Sequence, residues 1–215
     1  MIRVIPRLIF ELVFLRPITL LVVGLRLKHP ERLPKKGPAL LVANHNSHLD
    51  TPVLFSLFSL GRVHRVCAVA AHDYWFGNPL LALFSKYVMN LVPVKRKREE
   101  GESVEDILAN VFKALEENKI VIFFPEGSRG EPEQRSTIRS GIDVICSKFP
   151  NLKVCPVFLH GLGKVMPRGD PIVVPFFCDV VVGEPITGHN DEKPSKKIAA
   201  IFDELEKEVD RPLWH

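Results

Sequence analysis

Short apolar runs alternate with amphipathic segments along most of this chain of 215 residues. After a linker over residues 29–38, the apolar runs predict buried strands at 39–43, 64–70, 90–95, 120–124 and 153–159, with two more inside 172–186. Patterns of helical period predict helices at 52–60, 79–89, 103–118, 138–149 and 195–209. The alternation predicts an α/β fold over residues 29–215, a single domain with a mixed, largely parallel β-sheet flanked by helices.

Residues 1–28 are strongly apolar, yet charged side chains interrupt them at short intervals. The interrupting residues are Arg3, Arg7, Glu11, Arg16 and Arg26. The longest run between charges covers residues 17–25, whereas a transmembrane helix needs about 20 apolar residues. The pattern therefore predicts N-terminal amphipathic helices in a membrane interface, with Lys and Arg side chains extending toward anionic headgroups. Helices packed on the protein's own core and a true membrane span are the alternatives.

The positive charge is concentrated near the N-terminus. Residues 1–36 carry eight Lys and Arg against two Glu, while the rest of the chain carries 21 basic and 23 acidic residues. A basic surface across the body of the domain is therefore not expected, and nucleic acid is excluded as a partner. The four cysteines form no C-x-x-C pair and lie in apolar stretches, which is typical of reduced core residues.

Polar loops follow three of the predicted strands, at residues 44–51, 96–102 and 125–137. In α/β sheets, sites form at the carboxyl ends of the strands, so these loops are the candidate site. The first loop reads NHNSHLD over residues 44–50. Its side chains fit three interpretations: a metal site of His45, His48 and Asp50, a helix cap with polar histidines, or a general base with its orienting carboxylate.

The other two loops bring groups suited to an anionic substrate. FPEGSRG, at residues 124–130, combines a carboxylate, a hydroxyl and the planar guanidinium of Arg129, which suits phosphate. PVKRKR, at residues 93–98, has four basic residues, and Arg139 begins the helix after the third loop. A local surface ion pair of Glu126 with Arg129, and a solvated charge run at 95–98, are the alternatives.

These segments, together with CPVFLHG at residues 155–161, resemble the four sequence blocks of the glycerophospholipid acyltransferases, in particular the lysophosphatidic acid acyltransferases. The resemblance implies the fold of that family, with His45 as the general base and Asp50 as its orienting partner. It also implies a set of substrate-binding residues, to which Arg139 is added for its position. The set comprises Arg96, Glu126, Gly127, Ser128, Arg129 and Arg139.

The chain also departs from the family pattern. The second block usually has a glycine and an aromatic residue before its arginine, where this chain has NLVPVKR. The third block is often followed by serine, where this chain has Gly130, and by a Phe-Lys-x-Gly run, where it has IRSG at 138–141. The acceptor that the site takes is therefore left open.

The implied reaction moves an acyl chain from acyl-CoA or acyl carrier protein to a lysophospholipid hydroxyl, converting lysophosphatidic acid to phosphatidic acid. It needs no metal and no cofactor beyond the thioester co-substrate. The lipid substrates imply a peripheral, monotopic protein on the cytoplasmic face of the inner membrane. The alternatives are a lipid hydrolase, although the nucleophile motif G-x-S-x-G is absent, and a non-catalytic lipid-binding protein.

Overall fold

One seven-stranded sheet organises the part of the chain that the computed structural model describes, namely residues 5–17, 19, 23–96, 99–130, 134–165, 176–187 and 192–209. The strands are β1 Val23–Lys28, β2 Ala39–Ala43, β3 Val66–Ala71, β4 Leu91–Val94, β5 Ile120–Phe123, β6 Lys153–His160 and β7 Phe176–Val182. They lie in the order β1-β7-β6-β2-β5-β3-β4.

The strand directions make the sheet mixed. Strands β6, β2, β5, β3 and β4 pair in parallel, while β7 runs antiparallel to β6 and parallel to β1. This confirms the predicted fold class, and it brings the carboxyl ends of five strands to one edge. Of the two strand-like runs predicted within 172–186, the strand Phe176–Val182 is observed, and residues 172–175 lie outside the described residues.

Helices cover both faces of the sheet. They are α1 Ile5–Phe10, α2 Asp50–Ser56, α3 His72–Trp75, α4 Pro79–Tyr87, α5 Val104–Glu116, α6 Gly141–Lys148, α7 Leu162–Val165 and α8 Pro194–Lys207. Residues of α2 pack in the core on one face, and residues of α5, α6 and α8 pack in the core on the other. Every residue of β2 is buried, with alternate side chains in the two cores, which explains why this central strand reads as one apolar run.

The prediction of helix up to residue 28 is wrong for residues 23–28, which form the edge strand β1. Its apolar and basic residues alternate, so that Leu25 and Leu27 pack against the core while Arg26 and Lys28 lie on the other face. Pairing with β7 satisfies the backbone of this segment along one side. The domain therefore includes residues that the sequence pattern assigned to a membrane element.

The N-terminal helix is confirmed over α1 and the π-helix Glu11–Leu15 that continues it, but the predicted direction of Arg7 is wrong. Arg7 is 2% exposed and forms an ion pair of 3.2 Å with the fully buried Glu11. It also donates to the Val88 carbonyl at 2.9 Å and lies 4.0 Å from the Phe55 ring centre. Burial lowers the pKa of Arg7 to about 10 and raises the pKa of Glu11.

The opposite side of this helix is exposed and apolar. Its exposed side chains are Ile5, Ile9, Leu12, Val13 and Phe14. Phe10 meets Phe84 of α4 edge-on, with ring centres 5.3 Å apart, and α4 exposes Leu80 and Leu83 beside it. We call the exposed residues of this surface the apolar face, namely Ile5, Ile9, Leu12, Val13, Phe14, Leu80 and Leu83. No helix in the described ranges has the length and hydropathy of a bilayer-crossing segment.

The buried ion pair generates a stability prediction. Glu11→Ala leaves the Arg7 charge buried without its partner, so we expect the free energy of unfolding to fall by about 3–5 kcal/mol. Replacing both residues, as Arg7→Met with Glu11→Leu, removes the charges together and is expected to restore most of that loss. Urea unfolding followed by circular dichroism measures both. A double variant as unstable as Glu11→Ala would show that charge burial is not the cause.

Candidate active site

The site is built where neighbouring parallel strands end. Strands β2 and β5 pair directly, so the loops that follow them, at residues 44–50 and 124–130, lie side by side. Strand β4 is separated from β2 by β5 and β3, which places its end about 14 Å away at the usual strand spacing. Two of the three predicted loops therefore form one site, and the third lies at its margin.

Asp50 holds the imidazole of His45 in one orientation. The Asp50 side chain is fully buried at the start of α2, and its Oδ2 atom lies 2.8 Å from His45 Nδ1. The same oxygen accepts the backbone N–H groups of Asn46 at 2.7 Å and Ser47 at 2.8 Å. A carboxylate only accepts, so the His45 proton belongs on Nδ1, and Nε2 keeps its lone pair.

The face of the His45 ring is fixed as well as its edge. The Phe124 ring stacks on it with a centre-to-centre distance of 4.0 Å and an angle of 19° between the planes. Phe124 is the first residue after β5, so the strand that neighbours β2 supplies this contact. The His45 side chain remains 19% exposed, which leaves the ring within reach of a substrate.

Asn44 is a site residue that the sequence reasoning missed. It is fully buried, and its amide donates to the Leu159 carbonyl at 2.8 Å and accepts from the Leu159 N–H at 2.7 Å. The side chain therefore ties the end of β2 to the end of β6, immediately before His45. The signal was present in the sequence, since an asparagine directly after an apolar strand needs partners for both ends of its amide.

The Glu126 carboxylate is hydrogen-bonded to the backbone of both loops. Its carboxylate is 2% exposed, with Oε1 accepting the His45 N–H at 2.9 Å and Oε2 accepting the Ser136 N–H at 2.9 Å. The Gly130 N–H donates to the His45 carbonyl at 3.0 Å and completes the connection. Burial raises the pKa of Glu126, and the two backbone hydrogen bonds oppose that shift. Glu126 thus joins the two loops next to the His45 backbone.

The turn after Glu126 depends on two glycines. Gly127 has φ of +74°, and a Cβ there would lie 3.2 Å from the Arg139 side chain, which passes over the turn. A Cβ on Gly130 would lie 2.8 Å from the Gln134 carbonyl oxygen, so there is no room for the serine that the family often has. Ser128, the residue after Gly127, is exposed.

Arg129 and His48 face each other across the two loops. The guanidinium Nη1 of Arg129 contacts Nε2 of His48, a residue that the sequence hypothesis of a general base left without a role. This contact does not fit a metal site of His45, His48 and Asp50. Within the described ranges, no three His, Cys, Asp or Glu side chains come together as metal ligands would.

Arg96 lies apart from this arrangement. Its guanidinium is 3.6 Å from the Asp73 carboxylate, and both side chains are at least half exposed. The neighbouring Lys95 pairs with Glu99 at 3.1 Å and Glu102 at 2.8 Å. Among the predicted substrate-binding residues, Gly127, Ser128 and Arg129 therefore lie in the loop that neighbours the His45 loop. Arg139 lies against Gly127, and Arg96 is at the margin.

Comparisons with known proteins agree on one family. A family model described as Acyltransferase matches residues 24–176. The chain is 31% identical over 160 residues to the chloroplastic 1-acyl-sn-glycerol-3-phosphate acyltransferase LPAT1 of Arabidopsis thaliana, a match that covers 74% of this chain. It is also 31% identical over 125 residues to a lyso-ornithine lipid O-acyltransferase of Rhizobium meliloti (strain 1021), which covers 57% of this chain.

The fold has a solved counterpart. The crystal structure of the 1-acyl-sn-glycerophosphate (LPA) acyltransferase PlsC from Thermotoga maritima superposes with a TM-score of 0.74 at 21% identity, covering 97% of this chain and 81% of that one. The matches to the two relatives cover a smaller share of those proteins. The chain spans 42% of the Arabidopsis protein and 38% of the Rhizobium protein.

The position of Glu126 generates a prediction about the site's stability. Glu126→Ala leaves the N–H groups of His45 and Ser136 without their acceptors, and we expect a loss of about 1–3 kcal/mol in the free energy of unfolding. Faster amide hydrogen exchange at those two residues should accompany it. Glu116→Ala, at an exposed position of α5, is the control and should change neither quantity. Unaltered exchange at His45 in the Glu126 variant would contradict this role.

Proposed function

Because the chain belongs to the acyltransferase family, we propose that it transfers a fatty acyl chain from acyl-CoA or acyl carrier protein to the hydroxyl of a lysophospholipid. The acceptor we propose is lysophosphatidic acid, with phosphatidic acid as the product. The observation that carries the proposal is the His45–Asp50 pair, in which Asp50 holds the proton on Nδ1 and leaves Nε2 able to accept one.

His45 acts as the general base in this proposal. Its Nε2 takes the proton of the acceptor hydroxyl while that oxygen attacks the thioester carbonyl, and the imidazolium that forms is stabilised by the ionised Asp50. Collapse of the tetrahedral intermediate breaks the carbon–sulfur bond, and the proton passes from His45 to the departing thiolate. The products are the acylated lipid and the free thiol, and His45 returns to its starting state.

Direct transfer is favoured over an acyl-cysteine intermediate. All four cysteines are buried, namely Cys67, Cys146, Cys155 and Cys178. Burial raises the pKa of Cys67 and Cys155 to about 12 and that of Cys146 to about 11. A thiol with so high a pKa is hardly ionised near neutral pH, and the thiolate is the nucleophile that covalent catalysis needs.

The arginines around the Glu126–Gly130 turn are the best candidates to bind the phosphate of the lysolipid. Arg129 follows the turn, and the Arg139 side chain passes over Gly127, so both arginines belong to the loop that carries the exposed Ser128. Arg96 is a secondary candidate because it lies three strands from β2 and faces Asp73. Glu126 contributes by holding the loops, since both of its oxygens accept backbone N–H groups.

The reaction itself tests the proposal. With purified protein, labelled acyl-CoA or acyl carrier protein, and a panel of lysolipids, we expect transfer to lysophosphatidic acid. His45→Ala should lower kcat about 10²–10⁴-fold, because it removes the base. Asp50→Asn should lower it less, because the base remains but loses its fixed tautomer. Transfer that survives His45→Ala, or activity that a chelator abolishes, would contradict the mechanism.

We further propose that the apolar face rests on the lipid surface from which the acceptor comes, on the cytoplasmic side of the inner membrane. Residues of α1, the π-helix and α4 expose large apolar side chains on the same side of the sheet, joined through the Phe10–Phe84 contact. An exposed cluster of this kind suits burial at the headgroup boundary.

Paired substitutions test this orientation. Val13→Gln with Leu83→Gln places one polar group on each helix of the apolar face, and we expect weaker flotation with vesicles that contain anionic lipid. Phe177→Gln is the matched control because Phe177 is 65% exposed but lies on the other face of the sheet. Equal release by the control, or full vesicle binding by the paired variant, would contradict the proposed face.

A further inference from the structure

His48 stands at the entrance of the site, in the turn between β2 and α2. It is exposed, unlike its neighbours Ser47 and Leu49, and its Nε2 atom contacts the Arg129 guanidinium in the adjacent loop. The two residues are 81 positions apart in the chain, so only the pairing of β2 with β5 brings them together. Neither the general-base mechanism nor the helix that follows requires a histidine at this position.

We propose that His48 is a positioning residue that holds the Arg129 guanidinium where the phosphate of the acceptor binds. This inference rests on the proposed function and assigns a further residue to the same site. The guanidinium has five N–H donors and no acceptor, so a hydrogen bond that fixes its direction needs a lone pair on the partner. The neutral imidazole offers one such lone pair at Nε2.

Because the group that accepts a hydrogen bond from Arg129 is neutral, it does not weaken phosphate binding. A carboxylate at position 48 would orient Arg129 but would also offset its charge and repel an incoming phosphate. A neutral histidine orients the same side chain without adding a negative charge. Charge-assisted, bidentate hydrogen bonds between guanidinium and phosphate gain strength from a guanidinium that is already directed.

The surroundings of His48 keep it neutral near pH 7. Partial burial lowers the pKa of His48, and the nearby charge of Arg129 lowers it further, followed by His45, while Asp50 opposes these effects. When the pH falls through this lowered pKa, Nε2 gains a proton, loses its lone pair and repels Arg129. The orientation of Arg129 is therefore present above the pKa of His48 and is lost below it.

Steady-state kinetics with two acceptors measure the effect. His48→Ala should raise KM for lysophosphatidic acid about three- to tenfold, the range expected for one lost hydrogen bond, with little change in kcat. KM for a monoacylglycerol, which has no phosphate, should stay within about twofold. In an Arg129→Ala background, His48→Ala should add nothing. His64→Ala, at an exposed histidine near the opposite edge of the sheet, is the control.

The pH profile separates positioning from a merely structural role. His48→Gln keeps an oxygen that can accept from Arg129 but does not titrate. We expect this variant to keep KM for lysophosphatidic acid near the wild-type value at pH 7.5. The wild-type KM should rise as the pH falls below 6.5 and through the lowered pKa of His48, and that rise should be missing in the glutamine variant.

Histidine NMR titration tests the contact without any enzymatic reaction. The pKa of His48 should lie below 6.5 in the wild-type protein and should increase in Arg129→Ala. The inference would be overturned if the pKa of His48 were the same in the wild-type protein and in Arg129→Ala. Equal increases in KM for both lipid acceptors would overturn it as well. If no lysolipid is acylated at all, the proposed function fails, while the titration still decides whether His48 and Arg129 interact.

Discussion

A single carboxylate oxygen organises the site. Oδ2 of Asp50 accepts three N–H groups, one from the His45 ring and two from the backbone of Asn46 and Ser47. Those hydrogen bonds curl the loop around a buried negative charge, which would be costly to bury without such partners. The hydrogen bonds to Asp50 therefore set both the shape of the loop and the orientation of the imidazole. A change in one changes the other.

Strand order extends this local constraint to the second loop. Because β2 and β5 are neighbours, the Glu126 carboxylate reaches the backbone of His45 and the Phe124 ring reaches its imidazole. On the other side, Asn44 joins β2 to β6. The His45 imidazole and its loop are thus held from three strands. Its neighbours are mostly buried polar groups with satisfied hydrogen bonds, an arrangement that favours one conformation over many.

The sequence predicted the parts of the structure that depend on local pattern. Apolar runs located the central strands, and the rule for carboxyl ends located the paired loops. The sequence-based prediction was wrong where contacts between distant residues determine the structure. Strand β1 lies inside an apolar segment whose alternation is short, and the burial of Arg7 depends on Glu11, Val88 and Phe55 meeting in space. Likewise, the sequence does not show that the Glu126 carboxylate accepts backbone N–H groups from residues 45 and 136.

The buried Arg7 has a consequence for how the protein samples its substrates. Arg7 contacts Phe55 in α2, the same helix that begins with Asp50, so the apolar face and the His45–Asp50 pair belong to one packed unit. A protein docked through that face would hold its base at a fixed height above the lipid and search for acceptors by lateral diffusion. Under the proposed function, the effective concentration of the lysolipid would then be its mole fraction in the bilayer. Adding inert lipid, with the bulk lysolipid concentration held constant, would then lower the rate.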